Sequence, residues 1–285
     1  CLDVLAAEKD PLRNIPAENH WTHVDTAKDA HDYWCGMSDI VKIGSNGQTL
    51  SHTWTVFGGK VPRGMPNEGT RTATVEGIDF AAPSPAIEDK ASLRIPCFGC
   101  YATGLPDGKV IVNAGAGPGG QSYEDRHNTK YQLFDPDANT IQTLAKSSFI
   151  TSNFHCTVLL LPTAETITMG CDRSSLVQRG DRVFSPGDQD LGMSVAQKFR
   201  PPYFFAEGSD HENPILAPRP VIQFAPDHLR YRQKFVVIVR DDEGIENVSM
   251  VRTGFVTHTL NTDNRVVMLH FEQFSIGNFR VLLID

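Results

Sequence analysis

Arg252–Arg265 reads RTGFVTHTLNTDNR and sits between two alternating apolar segments. It has the composition of a loop joining two strands: a histidine, His258, flanked by threonines, then an Asn-Thr-Asp-Asn turn cluster and an arginine. An imidazole can ligate a metal or move a proton near neutral pH. A single loop histidine is more often solvated and idle, so its meaning depends on partners elsewhere in the chain. One other stretch could do chemistry on its own. GAGPGG at 115–120 fits the glycine pattern that cradles a dinucleotide pyrophosphate. That use needs a helix to follow, and QSYEDRHNTKYQ has no apolar helical face; Pro118 also sits inside the motif. A tight turn between strands is the better reading.

The chain of 285 residues can hold one large or two ordinary domains with an ample core. Its net charge of −8 argues against nucleic acid or an anionic membrane as partner. No apolar run approaches the roughly 18 residues that span a bilayer. The sequence starts at Cys1 without a signal peptide, as a mature, cleaved or partial product does. Six cysteines, at 1, 35, 97, 100, 156 and 171, are too few to build a fold but suit a secreted protein with some bridges. Asn247-Val248-Ser249 is a glycosylation acceptor in that setting.

Helical periodicity is nearly absent, and short apolar runs separated by turn clusters dominate. KVIVNAG (109–115) follows Pro106-Asp107-Gly108; KYQLF (130–134) and TIQTL (140–144) flank DPDAN; CTVLLLP (156–162) and TITMG (166–170) flank Thr163-Ala164-Glu165. These are hairpin signals. Two units, from Tyr101 and from His155, share a strand, a Leu-Pro turn, a second strand and a small-residue ending, with Leu-Pro pairs 56 residues apart. Residues 43–59 form a looser third copy. A repeat of about 50 residues with four short strands is a kelch-type propeller pattern. The first 30 residues and 60–95 are polar and loop-like. After a Pro- and Gly-bearing linker the pattern changes to VIQF, KFVVIV, NVSMVR, RVVMLHF and FRVLLID, which reads as a separate small β-sandwich. The expected fold is therefore all-β: a partial kelch-type β-propeller over 1–212, then an immunoglobulin-like β-sandwich over 213–285.

The chain resembles the galactose oxidase and glyoxal oxidase family of copper radical oxidases. NFHCTVLLLP resembles the family's aromatic-His-Ser/Thr strand, AQKFRPPYFF…APRPVI its passage from last blade to sandwich, and VRTGFVTHTLNTDNR its R-x-G-x-x-T-H-x-x-N-x-D-Q-R loop. These cover about 150–270. HDYWCGMSDIVKIGSNGQ (31–48) and CYATGLPDGKVIV (100–112) resemble the segments carrying the family's cysteine and ligand tyrosine less closely. The resemblance implies His155 and His258 as copper ligands, with Tyr101 a third ligand joined to Cys35 by a thioether that carries a radical. It implies O2 and a small alcohol, aldehyde or carbohydrate as reactants, and hydrogen peroxide as product. Imidazole suits copper, and Cu(II) heads the divalent affinity order.

Three positions depart from the family pattern. Phe154 stands where the family has an axial tyrosine, so the usual general base is missing. Gly117 stands near its radical-shielding aromatic. The spacing from Tyr101 to His155 is too short by about three blades, so further segments complete the ring, a second chain completes it, or the propeller has degenerated. On the residues alone, Cys35 also reads as a structural thiol or disulfide partner, and Tyr101 as a core aromatic. Two other functions stay open. One is a non-catalytic relative serving cell-wall or matrix assembly; the other is a generic kelch binding module, which leaves the His258 loop unexplained.

Overall fold

The computed structural model describes residues 35–61, 71–115, 130–146, 157–169, 196–209, 212–240, 244–257 and 260–285. Among them the protein is all-β, with only two short 3-10 turns, Ser45–Gly47 and Pro202–Phe204. No helix among them is long and apolar enough to cross a membrane.

Three antiparallel meanders follow one another. The first is β1 (Gly36–Ile43), β2 (Thr49–Phe57), β3 (Val75–Asp79) and β4 (Ile87–Asp89). Its opening hairpin turns on Asn46 and Gly47, both in the left-handed region that Asn and Gly tolerate. The second is β5 (Tyr101–Gly104), β6 (Val110–Asn113), β7 (Lys130–Asp135) and β8 (Thr140–Lys146). Its turns are the expected Pro106-Asp107-Gly108 and the DPDAN stretch, where Asn139 takes φ 49. The third is β9 (Thr157–Leu160), β10 (Thr166–Met169) and β11 (Ala196–Phe199), with Ala164 left-handed in the turn. YATG and VIVN are buried at every position, as strands covered on both faces must be.

Side chains bind the meanders together. Phe57 and Phe134 meet edge to face at 5.4 Å across the first two. Tyr131 stacks on Phe199 at 4.0 Å, and Asn113 Nδ2 donates to Thr168 Oγ1 at 3.1 Å across the second and third. The main core lies between the first two sheets and gathers Ile40, Phe57, Val110, Val112, Phe134 and Val266. Each such side chain contributes about 1.5–3 kcal/mol by leaving water.

The C-terminal strands divide. β12 (Val221–Phe224), β13 (Phe235–Arg240), β18 (Phe271–Ile276) and β19 (Phe279–Ile284) form one sheet in the order β12-β13-β19-β18. β14 (Val248–Arg252) and β17 (Arg265–Leu269) instead join the first meander, β17 running parallel to β1. The alternating pattern of NVSMVR and RVVML marks strands but not their partners. A Cβ on Gly104 of β5 would lie 2.6 Å from Val266 Cγ2, so glycine there leaves room for that valine in the core. Residues 60–95, read as loop, hold two strands. Their apolar signal is thin because Ile78 and Ile87 stay partly exposed and Glu76 is buried.

Candidate metal centre

Tyr101 opens β5 and is fully buried. It packs with Ala114 and Val158, against Val256. Val158 lies on β9, three residues after His155; Val256 lies on β15 (Phe255–Thr257), two before His258. β15 pairs with β16 (Leu260–Thr262), and this hairpin packs on β5, β9 and β1. The strand start beside Cys35 is there too. A Cβ on Gly36 would stand 3.0 Å from Ala102 N and 3.3 Å from the Tyr101 carbonyl carbon. β1 and β5 thus meet with no side chain between them, one residue from Cys35 and at Tyr101 itself. Cys35 is half-buried and forms no disulfide. Burial pushes its thiol pKa up, against a backbone hydrogen bond that lowers it, so the resting group is the thiol.

The loop that raised the first question is held by its other polar residues. Asn264 Oδ1 accepts from Gly104 N–H at 2.7 Å, and Asn261 Nδ2 donates to Thr103 Oγ1 at 3.3 Å; both bonds are buried and both grip β5. Gly254 makes room for this: a Cβ there would strike Asn261 Oδ1 at 2.1 Å. Arg252 donates to Asp263 at 3.0 Å across the turn, where Asp263 takes φ 66. Arg265 Nε donates to Asp39 Oδ2 on β1 at 2.6 Å. The glycines, asparagines and ion pairs of this stretch therefore lock the hairpin to the strands of Tyr101 and Cys35. Asn264→Ala leaves the Gly104 N–H without its acceptor and should lower stability by about 1–3 kcal/mol, read from the urea unfolding midpoint. A change within about 0.5 kcal/mol, as surface substitutions give, would show that the bond is not needed.

The approach to Tyr101 is fixed from the other side as well. Gln132, fully buried, accepts from Ile95 N–H at 3.0 Å and donates to Ile95 O at 3.1 Å, so its amide stands in for a strand partner. Cys97 and Cys100 form a disulfide directly ahead of Tyr101. A Cβ on Gly115 would lie 2.6 Å from Cys100 N. The first glycine of GAGPGG therefore serves close packing behind this loop; positions 116–120 lie outside the described residues. The sequence left open which cysteines pair. The asparagine struts were signalled by nothing short of the whole motif.

Of the expected site residues, Cys35 and Tyr101 stand at adjoining strand starts. His155, His258, Phe154 and Gly117 lie outside the described residues. Among the described residues no three His, Cys, Asp or Glu side chains group as a metal site.

Comparison with known proteins bears on the same elements. Residues 219–282 match the family model of the galactose oxidase-like Early set domain. Among solved structures the chain is similar to a fungal alcohol oxidase of the AA5 family in complex with copper, with 20% identity and a TM-score of 0.64. The match covers 88% of this chain and 48% of that one, so the chain spans about half the length of the oxidase. No curated protein sequence matches. Residues 219–282 thus match a galactose oxidase-like Early set domain, and the all-β framework is similar to that of the oxidase.

Proposed function

We propose that the chain is a secreted copper radical oxidase-like protein that oxidises small alcohols, aldehydes or sugars, its three meanders being blades of a kelch-type propeller over 1–212 and 213–285 an immunoglobulin-like domain. The observation that carries this reading is the convergence on buried Tyr101 of the strands adjoining Cys35, His155 and His258. Two imidazoles and a phenolate form a donor set that suits Cu(II), so His155, His258 and Tyr101 would hold the ion. Copper there would supply a one-electron acceptor beside the phenol. The ring of Tyr101, closed off from water by Ala114 and Val158, would share that role once joined to Cys35. Overall the substrate loses two electrons and two protons, and O2 takes them up as hydrogen peroxide. Three such blades would leave a propeller ring open, and further segments or a second chain would complete it. The Cys97–Cys100 disulfide and the acceptor at Asn247 suit an oxidising, extracellular setting.

A non-catalytic role in matrix or cell wall is the second reading, and Phe154 favours it, because phenylalanine can neither ligate nor accept a proton. Elemental analysis of protein loaded with Cu(II) and desalted tests the metal directly. The expected result is about one copper per chain, lost in His258→Ala. Equal copper in the two proteins would remove His258 from the site.

A further inference from the structure

We propose that the notch between β1 and the turn joining β16 to β17 is a second binding site, separate from the copper reading, that takes one neutral sugar ring. β17 pairs with β1 only from Arg265 opposite Asp39 onward, so Met37 and Ser38 run on past its start. The turn at 261–264 closes the other side and leaves a cavity of about 230 Å³. That is below the roughly 300–1,000 Å³ of sites for drug-sized ligands and suits a single ring. Neither Cys35 nor Tyr101 lines it.

The chemistry of the notch is set by one row across the sheet. Arg252 is opposite Arg265, Arg265 opposite Asp39, and Asp39 opposite Trp54. Cross-strand partners share a face, so two guanidiniums, a carboxylate and an indole stand side by side. Each cation already has its anion, Arg252 with Asp263 and Arg265 with Asp39. With Asp263 counted, the site is neutral overall, which gives a phosphate or carboxylate ligand no net attraction. It still offers spare guanidinium N–H donors and carboxylate lone pairs, which hydroxyls can use from either side.

Trp54 supplies the apolar half. It is 40% exposed, yet its ring is held edge-on by Phe80 at 5.3 Å and His52 at 6.4 Å. His52 Nε2 also bonds Asp39 Oδ1 at 3.0 Å, so the carboxylate is fixed from two sides before any ligand arrives. A flat apolar platform beside paired donors and acceptors matches a sugar ring, with its C–H face and its hydroxyl edge.

The test is saturation-transfer NMR and calorimetry on the purified full chain with glucose, galactose and mannose, against glucuronate and glucose 6-phosphate. At least one neutral hexose should bind, and more tightly than either anion. Trp54→Ala should weaken it about tenfold or more, and Trp54→Phe should keep most of the affinity. Asp263→Asn, which leaves Arg252 unneutralised, should move preference toward glucuronate. Added Cu(II) should leave the affinity unchanged, which separates this site from any substrate position at the copper centre. If Trp54→Ala does not fold, Arg252→Gln takes its place with the same expected loss. Absence of hexose binding, tighter binding of the anions by the unaltered protein, undiminished binding in the folded variant, or dependence on copper would each overturn the proposal.

Discussion

In peptide maps of protein exposed to Cu(II) and O2, the fragments carrying Cys35 and Tyr101 should emerge as one species that survives reduction. Tyr101→Phe should return them as two and bring peroxide release down to the background rate. The expectation rests on three features. Gly36 presents no side chain where β1 meets β5, so the backbones beside Cys35 and at Tyr101 come to van der Waals contact. The phenol is fully buried, which keeps a one-electron-oxidised ring from solvent. Cys35 is a free thiol, not consumed in a disulfide. Forming a sulfur-to-ring-carbon bond removes the thiol proton, a ring proton and two electrons, with O2 as the acceptor. The raised thiol pKa means that the thiolate is scarce at neutral pH until a bound cation favours it. The link should therefore form slowly in metal-free protein. Substituting phenylalanine at 101 removes one hydroxyl from a well-packed position and changes volume little, so loss of activity without loss of fold is the informative result. Recovery of both ordinary peptides from the copper-exposed parent protein would instead favour the non-catalytic relative.

How much of this was legible in the sequence differs from element to element. The hairpins at DPDAN and Thr163-Ala164-Glu165 were readable because their turn residues carry the backbone conformation itself, left-handed at Asn139 and Ala164. β3 and β4 were not, because a short strand with a buried Glu76 and partly exposed isoleucines shows no period. NVSMVR and RVVML were legible as strands of the C-terminal segment, but their pairing with β1 was not. Alternation specifies which face is apolar, not which edge is joined, and the close approach of Val266 to Gly104 is seen only in the folded chain. At the site, the residue types with redox or ligand chemistry stood out in the sequence. The asparagines that hold the loop did not, since Asn261 and Asn264 look like ordinary turn residues until their bonds to Thr103 and Gly104 are seen. Trp54 and Asp39 lie 15 positions apart and pair only through the register of a hairpin. Their joint face is a property of the sheet.

The last expected effect concerns the proton that leaves an alcohol before its C–H bond is broken. A positioned base in such a step is worth about 10²–10⁴-fold. The resemblance assigns that duty to a tyrosine at the position of Phe154, one residue before the proposed ligand His155. A phenyl ring keeps the shape and apolar packing of tyrosine but has no oxygen to ligate or to accept the proton. The chain should therefore oxidise primary alcohols poorly even with copper bound and the Cys35–Tyr101 link formed. Aldehydes that react as hydrates face the same deficit, because the hydrate also has to lose a hydroxyl proton. Phe154→Tyr should raise peroxide release from alcohols by about 10²-fold or more, with copper content unchanged, if the donor set of His155, His258 and Tyr101 is otherwise complete. The measurement is coupled peroxide detection across alcohols, aldehydes and hexoses for both proteins, with metal content determined on the same samples. Fast alcohol oxidation by the parent chain, unaltered by the substitution, would show that another group serves as base and that Phe154 is not at the axial position. A copper-loaded Phe154→Tyr protein that stays inert would place the deficit elsewhere and leave the binding role as the better account.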